Sequence, residues 1–263
     1  IMKKNNHRIE TDSLGKVKVP KNAYYGAQTQ RALDNFKISG ITFDPVFIQS
    51  LANLKQACAN ANMKCKTLTK SKANCISGIS KKISNNTLDY MDHFPIDIFQ
   101  TGSGTSTNMN MNEVISEIAK RILKQKIHPN DDVNMSQSSN DVIPTTINIA
   151  SLSMSKTLST SLKFMCESLN SKAIRLSNII KSGRTHLMDA VPISFEQELN
   201  VWEEQVRASQ AQIDLSCEEI SYLPIGGTAI GTGINAPKAF GKNVCNELNK
   251  IYKETKLKFK PLT

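Results

Sequence analysis

No stretch of this sequence approaches the roughly 20 consecutive apolar residues that a membrane-spanning helix requires, so a membrane protein is not expected. A secretory leader is not expected either. Lys3, Lys4 and Arg8 are followed by Glu10 and Asp12 with no apolar stretch, which also gives little support to a transit peptide. The six cysteines form no CxxC pair, and none groups with the four histidines at metal-ligand spacing. No metal and no cofactor are expected. A reducing compartment is the simplest setting, namely the cytoplasm, or the mitochondrial matrix if a leader is missing from this chain. Positive charge is abundant, at net +10, but it is scattered among Asn, Ser and Ile without basic runs or interleaved aromatics. That pattern reads as a solvated basic surface, which would also favour a small anionic substrate, and not as a nucleic-acid interface. Short internal repeats and strong alternating strand patterns are absent as well.

What is present is helical periodicity. The first forty residues are polar and punctuated by Gly15, Pro20 and Gly26, and read as an extended arm. Asp44 and Pro45 then offer an N-cap and a first helical residue before Phe47, Ile48, Leu51, Leu54 and Ala57 recur on one face. Further helices are expected over 70–84 and from about Asn110 or Met111 through Ile122. From about Pro144 to Ile180, two stripes repeat every seventh residue: Leu162, Leu169 and Leu176, and Leu158 with Met165. Leu199, Val206, Ile213 and Ile220 repeat the step after Ser194, which forms a capping-box signature with Gln197. Long helices with narrow apolar seams need partners, so the expectation is a mainly α fold. It would have an N-terminal domain over 1–140 and a helical-bundle domain over 141–263.

Three segments between these helices are unusually rich in hydroxyl, amide and glycine residues. In the first, Thr101 to Val114, Gly102 and Gly104 let backbone amides approach a ligand, and Ser103, Thr105 and Thr107 add hydroxyls. No GK[ST] follows, so a phosphate-binding P-loop is not indicated. The alternative reading is an ordinary Ser/Gly turn capping a helix. The second segment, His128 to Asp141, reads either as a solvated connector or as a donor array ending in Ser138, Ser139 and Asn140. The third, Lys181 to Pro192, holds Thr185 and His186 between the two seamed helices. A lone histidine is usually structural, but helix ends in a bundle can gather polar groups from distant segments.

In order and content these segments, with DSLGKVKVPKNAYYGAQTQRA near the start and PIGGTAIGTG at 224–233, resemble the fumarase/aspartase superfamily over nearly the whole chain. Within it they resemble class II fumarases, because aspartases typically carry Gln at His186 and a GGAGT-like cradle at TGSGT. The resemblance implies reversible anti elimination of water, interconverting L-malate and fumarate through a dianionic aci-carboxylate. Ser103, Gly104, Thr105, Ser138, Ser139, Asn140 and Thr185 would bind substrate, and His186 would act with water in proton transfer. His128, Pro129, Asn130 and Asp131 match the family's second anion site, although Gln125 stands where relatives often have Arg. Met188 and Glu196 are further departures. The family assembles as a homotetramer with shared sites. Its serine-base loop would lie beyond Thr263, so the chain is expected to be a fragment, inactive alone. Aspartate ammonia-lyase and a non-catalytic superfamily member are the alternatives. A nucleic-acid-binding module rests on charge alone.

Overall fold

The computed structural model describes residues 6–12, 14–255 and 257–262. In chain order, strands β1 (His7–Asp12) and β2 (Gly15–Pro20) are followed by helices α1 (Ala27–Asn35), α2 (Pro45–Lys64), α3 (Lys70–Asn85), the short α4 (Thr87–Tyr90) and α5 (Thr105–Ile122). A π-helical turn at Pro129–Val133 leads to α6 (Ser139–Arg175), strands β3 (Ile180–Thr185) and β4 (Met188–Ser194), and α7 (Phe195–Ile220). Strand β5 (Tyr222–Leu223), α8 (Phe240–Ile251) and β6 (Lys260–Pro261) complete the order. The fold is mainly α. It contains two compact units, Ile1–Ala150 with Ser221–Thr263, and Ser151–Ile220.

In the first unit, α2 forms the centre. Asp44 Oδ1 accepts from Val46 N at 2.8 Å, and Pro45 occupies the first turn, where its missing N–H costs nothing. Ile48, Leu51, Leu54 and Ala57 are fully buried between α3 and α8. Each such Leu or Ile contributes roughly 1.5–3 kcal/mol of transfer free energy. The opening residues are not an extended arm. β1 and β2 pair antiparallel from His7↔Pro20 to Asp12↔Gly15, with burial alternating along both strands. α1 follows, its amino end capped at long range by Glu113, which accepts from Gly26 N, Gln28 N, Thr29 N and Thr29 Oγ1. Without a local cap and with few apolar residues, α1 gives little periodic signal.

α5 begins at Thr105, earlier than its apolar residues alone indicate. Gln100 explains the difference: its Oε1 accepts from Thr107 N and its Nε2 donates to Thr107 Oγ1, so an amide side chain initiates the helix. Similarly, α6 starts at Ser139 with Pro144 inside it, not at Pro144. Asp141 Oδ1 accepts from Ser138 N at 2.9 Å and Ser138 Oγ from Asn140 N at 3.3 Å, a polar initiation that precedes the proline.

In the second unit, α7 opens on the expected reciprocal capping box, Ser194 N to Gln197 Oε1 at 3.0 Å and Gln197 N to Ser194 Oγ at 3.1 Å. The seam Leu199, Val206, Ile213 and Ile220 is buried or half-buried, as are Leu162 and Leu169 on α6 and Leu176 just beyond its end. Leu158 and Met165 instead face solvent, because the neighbouring α7 covers a single stripe. The expected connector at 181–192 is a β-hairpin, with β3 and β4 paired from Ile180↔Ser194 to Thr185↔Met188. Its turn residues His186 and Leu187 have φ of +51° and +61°, as a two-residue type I′ turn requires. No helix among the described residues is long and apolar enough to cross a membrane.

Candidate active site

The first unit brings the first two polar segments and the 224–233 loop together. Gly104 of the first segment lies in the left-handed region, φ +65°, as the N-cap residue of α5, and offers no side chain of its own as a cap. A Cβ there would lie 2.9 Å from the Ile143 side chain in the first turns of α6, so glycine is needed for both its φ and its close approach. Beside it, the Ser103 and Thr105 hydroxyls lie 2.8 Å apart and open to solvent. One hydroxyl proton is used within that pair, which leaves the other available to an anion at the positive end of the α5 dipole.

From α5, Asn108 Nδ2 donates to Ser139 Oγ at 3.0 Å, tying the second segment to the first. Asp141 then ties it to the loop. Its Oδ2 accepts from Gly226 N at 3.0 Å and Thr228 N at 2.9 Å, while Asn140 Nδ2 donates to Ala229 O at 2.7 Å. Burial pushes the Asp141 carboxyl up, against the pull of the three backbone donors and the nearby Lys55 ammonium. The second segment is therefore not a solvated loop: Asp132, Val133, Ser136 and Asp141 are all buried. Ser136 even adopts φ +62°, a left-handed conformation held by the packing around it.

Ser103, Gly104, Thr105, Ser138, Ser139 and Asn140 thus share one neighbourhood, on linked helix starts. Thr185 and His186 belong to the other unit, at the end of β3 and in the hairpin turn, where the His186 side chain is exposed. His128 Nδ1 accepts from Asp131 N at 3.1 Å and His128 N donates to Asp132 Oδ2 at 2.9 Å. His128, Pro129 and Asn130 line a cavity of about 400 Å3, together with Asp12, Glu113 and Glu117. Those carboxylates are engaged: Asp12 with Arg31, Glu113 with the start of α1, and Glu117 with Arg121.

The sequence reading passed over Asn108, Asn134, Gln137 and Lys55. The signal was there in TNMNMN, where Asn108, Asn110 and Asn112 recur at buried helical positions that would ordinarily be apolar.

A sequence family described as Lyase matches residues 15–262, and the chain belongs to it. Among its relatives, the class II fumarate hydratase of Xylella fastidiosa (strain Temecula1) is 46% identical over 93% of this chain and 52% of its own length. A second class II fumarate hydratase, from Pseudomonas aeruginosa, is 44% identical over 97% of this chain and 55% of its own length. The crystal structure of a class II fumarase from Schistosoma mansoni superposes with a TM-score of 0.89 at 36% identity, covering 97% of this chain and 57% of that one. A Brucella melitensis fumarate lyase:delta crystallin gives the same TM-score at 38% identity, covering 97% and 56%. The chain spans about half the length of the relatives it matches.

Proposed function

We propose that the full-length protein is a fumarate hydratase, adding water across fumarate to give L-malate and reversing the step. The observation that carries this reading is the junction of Ser103–Thr105, Ser138–Asn140 and the 224–233 loop, locked by Gly104 against Ile143 and by Asp141 on Gly226 and Thr228. Hydroxyls, amides and the positive end of the α5 dipole suit a dicarboxylate. Starting from L-malate, a base removes a proton from C3, giving an aci-carboxylate that bears an additional negative charge. Loss of the C2 hydroxyl, protonated as it leaves as water, completes the anti elimination. Fixed donors lower the barrier by holding the extra charge at the carboxylate without reorganising. Thr185 and His186 join this work, the imidazole passing a proton through water. The Asn–Gly expected in a type I′ turn is replaced by His186 and Leu187, each at roughly 1–2 kcal/mol of backbone cost, which supports a functional reason for the histidine.

His128 to Asp131 form an outer site for a second small anion. The protein works in the cytoplasm as a homotetramer. Exposed apolar residues on the second unit, including Phe164, Trp202 and Leu215, supply surface for such an assembly. A substrate panel on the full-length protein tests the activity. Fumarate and L-malate should interconvert; ammonia release from aspartate without hydration of fumarate would replace this reading by an ammonia-lyase, and a folded protein inert to all would leave a non-catalytic family member.

A further inference from the structure

Lys55 is fully buried on α2, on a helix whose other buried positions include Ile48, Leu51, Leu54 and Cys58. Burying an ammonium costs several kcal/mol, and a methionine or leucine of similar size would serve the core better. Its partners suggest why it is there. Nζ donates to two amide oxygens, Asn134 Oδ1 at 3.1 Å and Gln137 Oε1 at 2.9 Å, in the segment leading to Ser138. Gln137 in turn donates to Val133 O and Met135 O, and Asn134 Nδ2 to Gln137 O, so the ammonium organises that whole turn.

The network continues to the site. Asn134 Oδ1 also accepts from Asn108 Nδ2 at 3.2 Å and Asn112 Nδ2 at 3.3 Å, and Asn108 Nδ2 reaches Ser139 Oγ at 3.0 Å. With the amide occupying a lone pair of that hydroxyl, the Ser139 proton is turned away from the core.

We propose that Lys55 is a positioning residue of the substrate site: its buried ammonium fixes Asn134 and Gln137 and, through Asn108, presents the Ser139 hydroxyl as a donor to the dicarboxylate. This rests on the hydratase reading above. The titratable groups facing Lys55 are Cys58 on its own helix and Asp141 at the start of α6. Burial pushes the Cys58 thiol up, so it stays neutral, and Asp141 is engaged by Ser138, Gly226 and Thr228. Burial also lowers Lys55 to about 8, which leaves it charged at neutral pH and lets it discharge in mild alkali.

Lys55→Met in the full-length protein keeps the bulk and removes the charge and its donors. The expected result is a folded enzyme whose KM for fumarate and for L-malate rises about tenfold or more, with kcat less affected. Wild-type kcat/KM is expected to fall in alkali with a group near pH 8, and that fall should be absent from the variant. A folded variant with KM within about twofold of wild type and the same alkaline limb overturns the proposal. If Lys55→Met does not fold, Asn108→Ser cuts the same line beside Ser139, and an unchanged KM in that variant overturns it equally. A wild-type protein inert to fumarate and malate refutes the hydratase reading instead. The positioning claim is then decided by crystal structures: Asn108 bonded to Ser139 as before in the Lys55→Met protein would sink it.

Discussion

Gly104 packs directly against Ile143: a Cβ on the glycine would stand 2.9 Å from that side chain, so the starts of α5 and α6 are in contact through a residue without one. Gly104→Ala meets two penalties, the left-handed φ of +65° and the clash. Together they are expected to destabilise the protein by roughly 2–4 kcal/mol in urea unfolding. Adding Ile143→Ala to Gly104→Ala should relieve the clash and not the backbone cost, so in a double-mutant cycle the two changes should couple favourably.

Asp141 is the other clamp, accepting from Ser138 N, Gly226 N and Thr228 N. Asp141→Ala would leave these donors around a cavity at an expected cost of about 2–4 kcal/mol, with Asp141→Asn intermediate because it retains one acceptor oxygen. Both variants should also weaken substrate binding in the full-length protein, since Ser138 to Asn140 would lose their brace. Urea midpoints and KM measure the two effects separately.

Much of this architecture was legible in the sequence, and the failures have a common cause. α2, α3 and α7 carry local signals: Asp44–Pro45, the Thr69 cap, and the Ser194–Gln197 box. The starts of α1, α5 and α6 are set by distant or polar partners, Glu113, Gln100 and Asp141, which apolar periodicity does not register. Strands β1 to β4 were missed because they form two-stranded hairpins whose alternation is only half-buried or nearly absent. Ser103, Thr105, Ser139 and Asn140 could be nominated from composition and order. Lys55 could not, since a lysine on a helix ordinarily reads as solvent-facing.

Asp97 gives the protein an acid-sensitive joint. Burial pushes its carboxyl up, but donors at Phe99 N, Ser39 N, Gly40 N and Ser39 Oγ outweigh this and hold it at about 2, below the ordinary 3.8. A lowered carboxylate contributes stability that is present above the ordinary value and is lost as the pH falls from about 4 toward 2. Asp97→Asn should therefore be less stable than wild type at neutral pH, with the gap closing in that acid window. Thermal melts across the range check it; a gap independent of pH would contradict the assignment.

The thiols should divide into two classes. Burial raises Cys58 and Cys75 and pushes Cys245 to about 12, and Cys166 is buried as well, whereas Cys65 and Cys217 are partly accessible. With a disulfide reagent in mildly alkaline buffer, no more than two of the six cysteines should react before denaturant is added. Rapid modification of a third thiol in the native protein would show that a core helix opens.

The most direct test of the account is a crystal structure of the full-length protein with L-malate bound. One substrate carboxylate is expected within hydrogen-bond distance of the Ser103–Thr105 pair or of Ser139 and Asn140, with Asn108 still bonded to Ser139. Malate bound where none of these four side chains can reach it would contradict the account.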